Sequence, residues 1–398
     1  MDVSGRAETA TQAEILVRLR DGGPLSRVAL ADQIGVSRTT IGSELRRLEQ
    51  LELTCAVGPA ASRGGRRSTL VDLAPELGFL GVDIGTTSID VALTDRRMGV
   101  VAHLAEACAV REGPEVVLGR VLALAAKVRA QRPDIRLAGA GVGVPGPVDF
   151  DRGRPVSPPI MPGWHHYPVR DTVARELGVP VVLDNDVNLM ALGELHAGVA
   201  RRVGSYLFVK IGTGIGCGIV VAGRLYRGVD GCAGDIGHIL VEDTGPVCAC
   251  GNVGCLEAFF SGAALARDGE AAATSGRSEV LAELRAERGR ITAVEVAEAA
   301  GHGDAAATEL VRAGGRRLGV VLAGLVSFYN PAMVVIGGQV SRIGHELLAE
   351  IRSVVYRRSL PLATNNLPLV HSEMEQVGGV VGAARLAFDA LLIGDFEK

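Results

Sequence analysis

The sequence predicts an α/β protein of two similar lobes, preceded by a small helical domain that ends in a basic hairpin. Three observations carry this reading. From about residue 75 onward, strand-like text punctuated by glycine alternates with helical text, as it does in α/β architectures. A strand–Gly-Thr–strand unit, VDIGTTSIDVALTD, returns further along as IGTGIGCGIV, as if one unit were used twice to make two lobes facing a cleft. Residues 1–74, by contrast, are rich in arginine and carry apolar residues at helical spacing.

Composition sets the outer bounds. The 398 residues hold 41 basic and 45 acidic side chains, a net charge of −4, with 47% hydrophobic and 22% charged residues. That is the profile of a globular chain long enough for two or three domains, and too apolar for a disordered one. The longest apolar run, Leu318 to Phe328, is about half of what a bilayer span requires, so no membrane partner is expected. The N-terminus lacks a basic-then-apolar export signal. The cysteines number seven, and three fall between residues 248 and 255. An odd, clustered set points to a metal site in a reducing cytoplasm, not to a disulfide framework. Residues 1–75 carry 10 Arg against 9 acids, with Arg63, Arg66 and Arg67 together.

In the N-terminal segment, Ile15, Leu16 and Leu19 give a first helix its apolar face. Ser26 can cap a second helix, SRVALADQI, with Leu30, Ala31 and Ile34 inward. Gly35-Val36-Ser37 then makes a tight turn, and Ser37 caps a third helix in which Ile41, Leu45 and Leu48 face inward. Ser37, Arg38, Thr39, Thr40, Ser43, Arg46 and Arg47 are left to face out, a pattern suited to reading a major groove and gripping phosphate. Gly42 weakens that helix by about 1 kcal/mol, and close approach to a duplex is one reason to keep it. The segment LTCAVGPAASRGGRRSTLVDL follows as a hairpin turning at Gly64-Gly65. It places Arg63, Arg66 and Arg67 at the tip of a wing that can hold phosphate or minor groove. The competing reading is a three-helix interaction domain.

In the body, both Gly-Thr hairpins can expose backbone N–H groups and a hydroxyl to phosphate oxygens, although a single such hairpin is often a structural turn. The strand VPVVL runs into Asp184-Asn185-Asp186, with a helix from about Val187. Asn185 and Asp186 thus sit at a strand end, where open α/β sheets place ligand groups. An aspartate there can take the proton of a sugar hydroxyl attacking a phosphoryl group, or merely cap the helix. CACGNVGCLE supplies Cys248, Cys250 and Cys255, and GDIGHI places His238 upstream. Three thiolates and an imidazole make a closed, structural Zn2+ site. Cys232 is a rival fourth ligand.

Together these residues resemble the ROK family, named for its repressors, open reading frames and kinases, over essentially the whole chain. The resemblance implies two RNase H-like lobes, as in actin, Hsp70 and hexokinases, behind a winged helix-turn-helix of the repressor type. It implies domains at 1–74, 75–190 and 191–398, and it allows the last helix to return to the first lobe. By resemblance, Asp186 matches the kinases' catalytic base, a role it keeps only if kinase activity is retained. Asn185, Asp186, Asp235, His238 and Glu257 match sugar-binding positions. Gly85, Thr86 and Thr87 match the first phosphate loop, Gly212, Thr213, Gly214 and Gly216 the second, and Gly337-Gly338 of MVVIGGQVS the adenosine-side loop. Three departures bear on phosphotransfer. The first hairpin reads Gly-Thr-Thr-Ser where kinases carry Gly-Gly-Thr-Lys or Gly-Gly-Thr-Asn. Asp235 stands where they carry Glu, shorter by roughly 1.5 Å. The stretch SPPIMPGW lacks their sugar-contacting Asn.

The expectation is therefore a DNA-binding regulator, a repressor of sugar metabolism that senses a sugar or sugar derivative. As a homodimer or homotetramer it would read an inverted-repeat operator in double-stranded DNA. Sugar binding would shift lobe closure and hence the spacing of two reading modules. The alternative is an ATP-dependent hexose or amino-sugar kinase carrying a DNA-binding domain, for which ATP and Mg2+ would be cofactors.

Overall fold

The structure, a computed structural model, describes residues 6–59, 68–374 and 376–394. The chain divides into two compact units. One runs up to Leu192 and resumes at Gly379; the other spans Gly193–Gly378. The terminal helix therefore belongs with the first unit.

The N-terminal module follows its local signals. Thr9 caps α1 (Ala10–Gly22) by accepting the Gln12 N–H. After the short strand β1 (Leu25–Ser26), Ser26 caps α2 (Arg27–Ile34) through the Ala29 N–H at 3.1 Å. Gly35 stops α2 in the left-handed region, and Ser37 caps α3 (Arg38–Gln50) through the Thr40 N–H at 3.0 Å. Ile15, Leu16, Leu19, Leu30, Ile41, Leu45 and Leu48 are all fully buried. Burying each such side chain is worth about 1.5–3 kcal/mol, so the inward face of α3 outweighs its glycine. Strands β2 (Thr54–Pro59) and β3 (Thr69–Leu73) pair antiparallel, Thr54 opposite Leu73, and β1 adds to the other side of β3. That is the hairpin of a winged helix-turn-helix. Its expected tip, with Arg63, Arg66 and Arg67, lies outside the described residues.

The remainder of the first unit is a five-stranded sheet. Strands β4 (Leu77–Ile84), β5 (Ser88–Asp95) and β6 (Val100–Ala107) form an antiparallel meander. Helix α4 (Pro114–Gln131) crosses to β7 (Arg136–Val144), which pairs parallel with β4. The two-residue strands β8 (Val148–Asp149) and β9 (Arg154–Pro155) and helix α5 (Val169–Leu177) lead to β10 (Val181–Asn185), parallel to β7. The order is β10-β7-β4-β5-β6. Helix α6 (Asp186–Ala197) then carries the chain into the second unit.

The second unit repeats the plan. Strands β11 (Tyr206–Ile211), β12 (Ile215–Val221) and β13 (Arg224–Leu225) form the meander. Four helices follow a short α7 (Leu256–Phe259): α8 (Gly262–Thr274), α9 (Glu279–Arg288), α10 (Ala293–Gly301) and α11 (Ala305–Tyr329). Parallel β14 (Val334–Gly337) comes next, then α12 (Gly344–Arg358), α13 (Pro361–Thr364) and β15 (Leu369–His371). The order β13-β12-β11-β14-β15 reproduces the first sheet strand for strand. The duplicated sheet bears out the two similar lobes expected from the paired hairpins and is the actin- and hexokinase-like fold that the family resemblance implies. Helix α14 (Gly378–Phe388) closes the chain against the first sheet. An added Cβ on Gly81 would lie 2.0 Å from the Val380 carbonyl oxygen, and one on Gly141 2.0 Å from that of Ala383. No helix of the described chain is long and apolar enough to cross a membrane.

Candidate nucleic-acid interface, strand-end acids and metal cluster

On α3, Arg38, Thr39, Arg46 and Arg47 are exposed, while Thr40 and Ser43 are half-buried. The short hydroxyls are partly used at home. Ser37 and Thr40 share a hydrogen bond at 2.8 Å, and Ser43 donates to the Thr40 carbonyl. Arg38 and Thr39 stand at the start of the helix, and Arg46 and Arg47 about two turns on, all four exposed. A Cβ added to Gly42 would meet nothing within 4 Å inside the protein.

In the first unit, β10 delivers Asn185 and Asp186 to its end. Asn185, not Asp186, caps α6. Its side-chain oxygen accepts the Val187 N–H at 2.9 Å and the Asn188 N–H at 3.4 Å, and its amide donates to the Gly146 carbonyl. Asp186 is buried, with a carboxylate oxygen 2.9 Å from the Val187 nitrogen. Asp184 beneath it holds Asn188. The hairpin Gly85-Thr86-Thr87 joins β4 to β5, and its Thr86 and Thr87 carbonyls accept from Val110 and Cys108. In SPPIMPGW, Trp164 is fully buried and donates to the Val110 carbonyl at 3.0 Å.

In the second unit, Gly212-Thr213-Gly214 joins β11 to β12 with the same three-residue length, and its first two carbonyls accept from Gly262 and Ala263. Gly216 lies in β12 opposite Lys210. Gly337 and Gly338 have structural reasons to be glycine. Gly338 has φ of +89°, and a Cβ there would lie 2.5 Å from the Ile211 carbonyl oxygen; one on Gly337 would lie 2.5 Å from the Phe208 ring.

Beside this hairpin lies the cysteine loop. The ligand atoms of His238, Cys248, Cys250 and Cys255 all lie within 4.8 Å of one another. The Cys250 and Cys255 sulfurs are 3.8 Å apart, and the Cys248 sulfur is 3.4 Å from His238 Nδ1. Zinc–sulfur bonds of about 2.3 Å in a tetrahedron give edges of about 3.8 Å, so the four residues fit a tetrahedral ion. Burial pushes the Cys255 thiol up to about 12 and raises Cys248, while the Asn252 backbone N–H holds Cys250 down. A dication supplies the charge that buried thiolates need. Exposed Cys232, whose thiol donates to the Asp230 carbonyl, is not part of the cluster. Gly254 has φ of +84°, and a Cβ on it would lie 1.8 Å from the Glu242 carbonyl oxygen, so the loop closes only with glycine there.

The same imidazole faces two ways. Its Nε2 lies 3.8 Å from Asp235, an exposed carboxylate. Glu257, in the first turn of α7, accepts the Ile215 N–H at 2.9 Å where the second hairpin enters β12. Burial raises its carboxyl above the ordinary range, against that N–H and His238. Asp235, His238 and Glu257 thus converge beside the Gly-Thr turn. Sequence reasoning missed the brace behind them: Arg317 of α11 donates to Glu242 at 2.7 Å and lies 4.6 Å over the Phe259 ring. These partners lie on distant segments, so no motif spacing signals them.

The chain is similar to known proteins over most of its length. The ROK family model matches residues 79–390. A putative xylose repressor from Caldicellulosiruptor sp. (strain Rt8B.4) is 30% identical over 95% of both chains. A crystal structure of a ROK family transcriptional regulator, a homolog of the E. coli MLC protein, superposes with a TM-score of 0.84 at 25% identity over 97% of each chain. A ROK family glucokinase from Streptomyces griseus, solved with glucose and AMPPNP, gives 0.70 at 31% identity, covering 99% of that chain but 78% of this one. Repressors therefore match the chain nearly end to end, and kinases match its body. The chain belongs to the ROK family.

Proposed function

We propose that this protein is a sequence-specific DNA-binding transcriptional regulator, acting as a repressor in sugar metabolism and responding to a sugar or sugar derivative. The observation that carries the reading is a winged helix-turn-helix whose third helix exposes Arg38, Thr39, Arg46 and Arg47, ahead of a ROK body whose repressor relatives match along nearly their whole length. In this reading Arg38 and Thr39 contact bases, and Arg46, Arg47, Arg63, Arg66 and Arg67 contact phosphate. Asn185, Asp186, Asp235, His238 and Glu257 are the groups proposed to be offered to sugar hydroxyls. Zinc suits the Cys3His cluster: with no open position it would stiffen the loop carrying His238 and Glu257 and do no chemistry. A homodimer or homotetramer presents two reading helices to an inverted repeat. Selection of bound duplexes from a random library tests the reading; recovery of a palindromic site supports it, and no enrichment over input defeats it.

A second reading, an ATP-dependent sugar kinase, is favoured by one observation: buried Asp186 stands directly at the end of β10, at the position that matches the catalytic base of the family's kinases. Gly85, Thr86, Thr87, Gly212, Thr213, Gly214, Gly216, Gly337 and Gly338 would then face ATP and Mg2+. A coupled ADP-release assay over hexoses and amino sugars decides it. Turnover that disappears in Asp186→Asn would put this reading first.

A further inference from the structure

Within the first unit, the winged module is anchored to the sheet and its closing helix at two ionic clamps, each built on one buried charged side chain, Arg20 or Asp72. In the first, Arg20 of α1, whose side chain is 1% exposed, bonds Asp389 and grips Asp21 through two nitrogens at 2.7 and 2.9 Å. Its guanidinium lies 5.0 Å over the ring of Phe388, which itself packs on Phe79 of β4 at 5.6 Å. Arg385 completes the group with a 2.5 Å bond to Asp389. Nearby the Ala7 N–H donates to the Leu392 carbonyl. In the second clamp, buried Asp72 of β3 takes Arg97 through both oxygens at 2.5 and 2.6 Å and Arg96 at 3.3 Å, both from the turn between β5 and β6.

The two clamps hold different things. Asp72 is tied to the rim of a sheet. Arg20 is tied to the end of α14, and α14 begins where the chain passes from one unit to the other, at Gly378-Gly379. There its first turn lies against Asp83 of β4, since a Cβ on Gly379 would be 2.0 Å from a carboxylate oxygen. Its middle lies directly on the β4 and β7 backbones at Gly81 and Gly141. Then, as the helix meets the winged module, Asp389–Ile393 winds as a π-helix, a local widening common at functional sites. One stiff element thus starts at the crossing and ends on α1.

From this geometry we propose that Arg20 and Asp389 are positioning residues: through α14 they set the winged module in register with the crossing, so that effector binding alters operator affinity. The inference rests on the sugar-responsive reading above. A buried charged contact has discrete states, made or broken, and suits a two-state element.

The test compares wild type, Asp389→Asn, Arg20→Lys and, at the other clamp, Arg97→Lys. Operator affinity is measured by fluorescence anisotropy with and without a sugar found by thermal shift, and the sugar's own affinity is measured on each variant. Asp389→Asn is expected to bind the sugar within about threefold of wild type and the free operator within about threefold, while losing most of the sugar-dependent change in affinity. Arg20→Lys keeps the charge and should retain part of the response. Arg97→Lys should weaken operator binding with the fold response intact. A full response in Asp389→Asn overturns the inference, as does equal loss of response in Arg97→Lys. If Asp389→Asn does not fold, hydrogen exchange of wild-type α1 and α14 decides: sugar-induced change in both supports the relay, and change in neither overturns it. No sugar response in wild type overturns the parent reading instead, and this inference with it.

Discussion

Replacing Gly42 with alanine separates the stability of the reading helix from its use. Gly42 is the fifth residue of α3, and an added Cβ meets no atom within 4 Å. Alanine therefore brings its full helix-propensity advantage, about 1 kcal/mol. For a unit of this size that raises Tm by about 2–4 °C. If α3 lies in the major groove with this flank against the duplex, the same methyl must be accommodated against DNA. A loss of about 1.4 kcal/mol corresponds to a tenfold weaker Kd. The assay is anisotropy on the selected operator alongside calorimetric melting of the free protein. A higher Tm together with about tenfold weaker operator binding is the expected pair. A higher Tm with unchanged operator affinity would refute the placement of this flank against DNA.

Arg66→Ala and Arg67→Ala should weaken binding to specific and random duplexes alike and flatten the salt dependence by about one unit each; a change in sequence preference without a change in slope would contradict phosphate contact. Arg38→Ala and Thr39→Ala should instead cost about 1–3 kcal/mol on the operator and little on random DNA, read from the ratio of the two affinities. Cys250→Ser should lower bound zinc per chain by elemental analysis and destabilise the loop. If the cluster holds zinc as proposed, it does so only while its thiols are ionised, so acidification should release the ion. Metal content unaltered by the substitution would remove Cys250 from the site. Gly338→Ala, strained at φ of +89° and crowded by the Ile211 carbonyl, should lower the melting temperature of the second unit whether or not a nucleotide is present.

The parts legible in the sequence were those whose physics is local. Ser26, Gly35 and Ser37 each act within three or four residues, so the three N-terminal helices could be placed from caps and apolar spacing alone. The Cys248–Cys255 loop and the paired Gly-Thr hairpins were legible for the same reason, and duplication of the hairpin foretold duplication of the sheet. What sequence could not supply was contact across the chain. Arg20 meets Asp389 from 369 positions away, and Arg317 meets Glu242 from 75; neither pair leaves any periodic trace. The assignment of capping was likewise decided in three dimensions. Asn185 and Asp186 are adjacent and both accept the Val187 N–H, and only the folded geometry shows that Asn185 also reaches the Asn188 N–H.

A sugar bound in the ROK body is expected to change how the winged module holds DNA. The operator Kd of the full-length protein, measured at saturation with each sugar that raises its melting temperature, reads that coupling. At least one such sugar should shift Kd by tenfold or more. An operator Kd that stays constant through saturation by every stabilising sugar would contradict the account.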